Sequence, residues 1–147
     1  MSQILEIENK YLVDASELLK GMSLPAKDSR HRSKFVKLLE QAIFELNNSE
    51  MELAKEYGNL DENGELAITE NGSFTCKTPE ARKQFETERT DLLNEKVVIE
   101  GGMFARNIDE IPRILNEYDG ELSGKTAEVY DRLLDEFEKN TEEKGAE

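Results

Sequence analysis

Three stretches of the chain carry residue types that could do chemistry, and their spacing tests each one. Gly120-Glu121-Leu122-Ser123-Gly124-Lys125-Thr126 holds the ingredients of a phosphate-binding loop, in which backbone N–H groups and a lysine cradle a nucleotide. That loop needs four residues between its glycines and this one has three. Asp119 stands where the first glycine belongs, and Arg113 to Tyr118 reads as a helix rather than the required strand. Helix initiation is expected there instead of a nucleotide site. Asp61-Glu62-Asn63-Gly64-Glu65 offers oxygens to calcium, but its glycine arrives two residues early and Gly72 occupies the twelfth position, where a bidentate glutamate belongs. A turn is expected. His31 is the single histidine, so no two-histidine metal site forms within one chain, and its neighbours Arg30, Arg32 and Lys34 offer no carboxylate to orient its ring for nucleophilic catalysis. Cys76 is the single cysteine, which excludes an internal disulfide, and Lys77 alone does not make it an activated nucleophile. No catalytic residue, cofactor or metal site is expected, and the chain reads as a binding protein rather than an enzyme.

The remaining candidate is a charge cluster. Lys27, Arg30, Arg32, Lys34 and Lys37 stand against Asp28 alone, in a chain whose formal net charge is −14 from 33 acidic and 19 basic residues. These cations begin a long helical pattern, where the helix dipole favours negative charge, so something anionic should lie nearby. One reading is an intramolecular ion-pair network with carboxylates of the second or last helix. The other is a docking patch for an acidic partner or a phosphate backbone. The overall charge repels nucleic acid from most of the surface, so direct nucleic-acid binding is not expected, and a basic protein surface would be attracted instead.

The elements that must position these residues are mostly helical, and 147 residues with 37% hydrophobic content suit one ordinary domain over 1–139 with a frayed acidic tail over 140–147. Ile4 to Glu8 reads as a short strand, and Tyr11 to Leu19 as a helix that Gly21 ends. From Ser29 to Tyr57, residues Phe35, Leu39, Ala42, Leu46, Leu53 and Tyr57 recur at steps of four and three apart from a polar gap at Ser49 and Glu50. About 29 residues of helix would span roughly 43 Å, with Asp28 or Ser29 as cap and a bend allowed at Asn47-Asn48-Ser49. Glu65–Thr69 and Ser73–Lys77 flank Asn71-Gly72, a dipeptide favoured in tight hairpins. Thr78-Pro79 opens a second helix with Ala81, Phe85 and Leu92 on its apolar face, expected antiparallel to the long one. Val97-Val98-Ile99 reads as a strand and Asn107 to Tyr118 as a helix. A last helix capped by Ser123 carries Ala127, Tyr130, Leu133, Leu134 and Phe137. The fold class expected is α+β, predominantly α-helical: a long antiparallel helical hairpin, a small β-sheet or hairpin, and a C-terminal helical pair.

Ser29 to Leu39 (SRHRSKFVKLL), Leu60-Asp61-Glu62-Asn63-Gly64-Glu65, and Tyr118-Asp119-Gly120-Glu121-Leu122-Ser123 through Tyr130-Asp131 occur in that order. They resemble an uncharacterised protein family of tailed phages and prophages of Gram-positive bacteria, over nearly the whole chain. The resemblance carries no catalytic residues. It implies a phage origin, synthesis in the bacterial cytoplasm, and a role in virion assembly or host interaction.

No window approaches the roughly 18 apolar residues of a membrane span, and the N-terminus has neither a basic leader nor an apolar signal core, so a cytoplasmic protein, free or virion-associated, is expected. The leading expectation is a non-enzymatic phage accessory protein that binds another protein, either a phage structural protein during virion or tail assembly or a host protein that it modulates. The alternative is an acidic nucleic-acid mimic that inhibits a DNA-binding host defence protein, with carboxylates displayed like phosphates. A helix-mediated homodimer is expected if part of the stripe between Phe35 and Tyr57 stays uncovered.

Overall fold

The computed structural model describes residues 4–145, with side chains through Lys139. The element order is β1 (Ile4–Glu8), α1 (Leu12–Lys20), α2 (Ala26–Tyr57), α3 (Pro79–Asn94), β2 (Lys96–Glu100), α4 (Ala105–Asp109), α5 (Ile111–Glu117) and α6 (Gly124–Gly145), with single 3-10 turns before α1 and α4. The fold is α+β and predominantly helical, as the periodicity predicts. The chain divides into two compact units, Met1–Ile43 with Lys96–Glu147, and Phe44–Glu95; α2 supplies residues to both. The expected tail over 140–147 has no described side chains, and residues 146 and 147 lie outside the described residues.

In the first unit, β1 and β2 pair antiparallel with Leu5 opposite Ile99 and Ile7 opposite Val97. Period-two alternation places Leu5, Ile7 and Ile99 in the core and leaves Val98 half exposed. Helix α6 packs on β1, α1 and α5. Its deepest row is Val129, Leu133 and Phe137, four residues apart, and Phe137 meets the Phe35 ring of α2 at 6.0 Å. Tyr130, expected on the buried face, lies at its edge, where its hydroxyl donates to the Leu115 carbonyl. The single helix expected over 107–118 is two helices. The Glu110 N–H closes α4 on the Asn107 carbonyl at 3.2 Å, and Pro112, which has no N–H to continue the ladder, falls in the first turn of α5. Gly101 permits the close return of the chain before α4, since a Cβ there would lie 2.3 Å from the Ala105 Cα.

Helix α2 begins at Ala26, three residues earlier than expected, because the Pro25 carbonyl accepts the Ser29 N–H at 2.8 Å. It runs unbroken through Asn47-Asn48-Ser49, where a bend was allowed, for about 48 Å in all.

The second unit joins the end of α2 to α3 through a non-helical excursion. The Lys77 N–H meets the Tyr57 carbonyl at 2.9 Å while Arg89 meets Glu50 at 3.3 Å, which makes α3 antiparallel to this part of α2. Thr78 caps α3, its side chain accepting from the Ala81 N–H at 2.9 Å with Pro79 at the first helical position. The hairpin expected across Asn71-Gly72 keeps its turn but not its strands. The Thr69 N–H reaches the Ser73 carbonyl at 2.7 Å and Gly72 adopts φ 82°, but the two expected strands do not pair further with each other. Isolated bridges join each to residues 58–60 instead, Gly58 with Cys76 and Leu60 with Leu66. The Thr69, Asn71 and Ser73 side chains bond to one another and to the local backbone, a competition that polar turn residues offer to a ladder.

Candidate functional site

The cluster over 27–37 resolves into structural and free charges. Arg32 ends α1: its Nη1 donates to the carbonyls of Leu19 at 2.8 Å and Met22 at 2.7 Å, and its Nη2 to Ser29 Oγ at 2.8 Å. Leu19 is in the last turn of α1 and Met22 just beyond it, and one guanidinium binds both carbonyls at once. The Lys34 ammonium lies 5.2 Å from the centre of the Phe104 ring. Lys27, Arg30 and Lys37 are exposed and make no ion pair among the described residues. The anion expected near this helix start is Asp28 itself, bound at 2.7 Å by Arg113, which also holds Glu110 at 2.8 Å and Glu117 at 3.0 Å. The ion-pair network at this helix start is thus built on Arg113 of α5, and among the described residues no carboxylate of the expected second or last helix, α3 or α6, pairs with the cluster. The Arg113 guanidinium holds the Asp28 and Glu110 carboxyls below their ordinary range, and these carboxylates in turn keep Arg113 charged. His31 faces the Asn107 amide through Nδ1 at 3.1 Å.

The other sequence candidates form no site. At Gly120 a Cβ would meet the Tyr118 hydroxyl at 2.1 Å, so the tyrosine covers the glycine that a phosphate would need to approach. Asp61 Oδ1 accepts from the backbone of Asn63 at 2.8 Å and Glu65 at 3.0 Å, a turn that occupies the oxygen calcium would need. Among the described residues no group of three or more His, Cys, Asp or Glu could hold a metal ion, and no helix is long and apolar enough to cross a membrane.

A groove of about 810 Å³ lies within the second unit, lined by α2, the 66–74 loop and α3. Ala54 and Leu66 are buried at its floor, 5% and 9% exposed, while Met51 and Ile68 stand in its walls at 47% and 57%. Phe74 and Phe85 meet edge to face with centroids 5.3 Å apart. Gly58 lets the floor close, since a Cβ there would lie 2.5 Å from the Ala54 carbonyl and 2.7 Å from Leu66 Cδ1. The rim holds the Glu50–Arg89 pair. Periodicity passes over this groove: Met51 lies off the packing stripe of α2, and α3, whose apolar face the spacing predicts, has no fully buried residue.

Around the groove the charge is one-sided. Phe44–Glu95 holds 13 acidic and 5 basic residues. Three of the five cations are engaged, Lys55 with Glu65, Arg82 with Glu86 and Arg89 with Glu50. Ten exposed carboxylates then face Lys77 and Lys83.

The chain belongs to the family described as Protein of unknown function (DUF1617), whose model matches residues 3–145. No curated protein and no solved structure matches it.

Proposed function

We propose that this protein is a non-enzymatic phage accessory protein that acts by binding another protein, in virion assembly or in modulation of a host protein, and that the groove of the second unit is its binding surface. The observation that carries this reading is the exposure of Met51 and Ile68 over a floor of Ala54 and Leu66. Clustered apolar side chains left open to water are costly in a monomer and characteristic of surfaces that a partner covers. Met51 also suits such a surface, because an unbranched thioether repacks around different shapes. The phage assignment rests on the resemblance of the 29–39, 60–65 and 118–131 segments.

The test compares affinity purification of the tagged chain and of a Met51→Glu/Ile68→Glu variant from phage-infected bacteria. A protein recovered with the native chain and lost with the variant is the expected result. Recovery of no protein above background, or of the same proteins with both, would overturn the reading. The ten exposed carboxylates of the second unit favour one second reading, an acidic nucleic-acid mimic inhibiting a DNA-binding host protein. It requires a partner that salt releases and that ignores the Met51 and Ile68 substitutions.

A further inference from the structure

We infer that the occupant of the second unit's groove is a basic amphipathic helix of a protein partner, an inference that rests on the groove being the binding surface. Two observations select this chemistry. The first is charge: the apolar walls sit in a segment where ten exposed carboxylates face two ammonium groups outside any ion pair among the described residues, Lys77 and Lys83, so a segment with lysines or arginines flanking its apolar anchors is drawn in and an acidic one repelled. The same field disfavours a second copy of this chain, which would bring its own net charge of −14.

The second observation is the backbone. An extended peptide gains its affinity by adding to an open strand edge, whose N–H and C=O groups take up its own. Phe44–Glu95 contains no strand, only isolated bridges, and the Thr69 N–H already bonds to the Ser73 carbonyl across the turn. The groove therefore offers side-chain surface and no strand ladder for an extended peptide to join. An occupant must satisfy its own backbone hydrogen bonds, which a helix does internally while presenting one apolar face.

The probe is a fluorescent leucine–lysine peptide about 18 residues long, with leucines at helical spacing. It is compared with a leucine–glutamate twin and with a leucine–lysine scramble whose leucines share no face. Anisotropy with the full chain should show the amphipathic basic peptide binding at least about tenfold more tightly than either control, a difference of about 1.4 kcal/mol. Binding should weaken by a similar factor in Met51→Glu/Ile68→Glu, whose side chains are exposed and whose circular dichroism should match the native chain. Glu52→Gln/Glu70→Gln/Asp91→Asn, each within two residues of a groove-lining position, should weaken it severalfold and flatten its salt dependence. Equal binding of the scramble would show charge attraction alone, and equal binding of the acidic twin would remove charge complementarity; either overturns the inference. A groove-dependent dimer of the chain, lost in Met51→Glu/Ile68→Glu, would overturn it in favour of a second copy. Failure of all three peptides, while affinity purification still recovers a partner through Met51 and Ile68, would overturn the basic-helix assignment and leave the binding reading standing.

Discussion

The two compact units use similar sequence patterns to different ends. Among the described residues the first unit buries eighteen apolar side chains, including Leu5, Phe35, Ile111, Leu133 and Phe137. The second, with 52 residues between Phe44 and Glu95, buries Leu46, Ala54 and Leu66 and leaves Phe44, Met51, Leu60 and Ile68 exposed. Apolar burial is the main favourable term in folding, so the first unit has the larger driving force of its own. The lesson is that an apolar stripe does not by itself make a core. In α2 the same heptad-like pattern is buried at Phe35, Leu39 and Leu46, then half-buried at Leu53 and Tyr57. A stripe that is only partly covered remains available for binding.

The widest expected separation between the units is in core truncation. Phe35→Ala should cost about 3–5 kcal/mol, because it empties a fully buried site against Phe137. Phe85→Ala in the half-buried Phe74 pair should cost clearly less, and urea unfolding of both variants measures the difference. Equal losses would break the comparison.

Next in size is Arg32→Met. It leaves the Leu19 and Met22 carbonyls without their charged donor and should cost about 1.5–3 kcal/mol, also read by urea unfolding. Thr78→Ala removes the cap of α3 and should cost about 1 kcal/mol. Hydrogen exchange should register it as faster opening over 79–94 with β1 and α6 unchanged; propagation into those elements would mean that the two units open together.

The smallest expected effect is on the acid limb. Arg113 lowers the carboxyl pKa values of Asp28 and Glu110 in the folded chain, so the unfolded chain binds more protons as acidity increases. Their stabilisation is fully present above the unfolded carboxyl values of about 4 and is lost as pH falls through the lower folded values. Thermal melts of Arg113→Met should therefore show a shallower loss of stability below about pH 4 than the native chain. An unchanged slope would remove this linkage.

Much of the local structure was legible in the residues. Leu5 to Glu8 alternates as a half-buried strand does, Thr78-Pro79 starts a helix through its capping side chain and fixed φ, and Gly21 and Gly58 stand just past the helix ends where the periodicity stops. The hairpin across Asn71-Gly72 misled because turn propensity is local, whereas strand pairing needs a neighbour to complete it. Val97-Val98-Ile99 found that neighbour in β1, more than ninety residues away. Of the five cations in the 27–37 cluster, sequence supplied the charge but could not separate Arg32, bound to the end of α1, from the exposed Lys27, Arg30 and Lys37.

By itself the sequence determined the helical periods, the capped start of α3 and the absence of a P-loop or calcium-loop spacing, because each depends on residues near one another in the chain, and the net charge, which is a sum over residue types. Tertiary structure alone decided which half of the α2 stripe is sealed and that Met51, Leu66, Ile68, Phe74 and Phe85 line one groove. Burial and concavity depend on what distant segments bring to a face, and no local pattern carries that information.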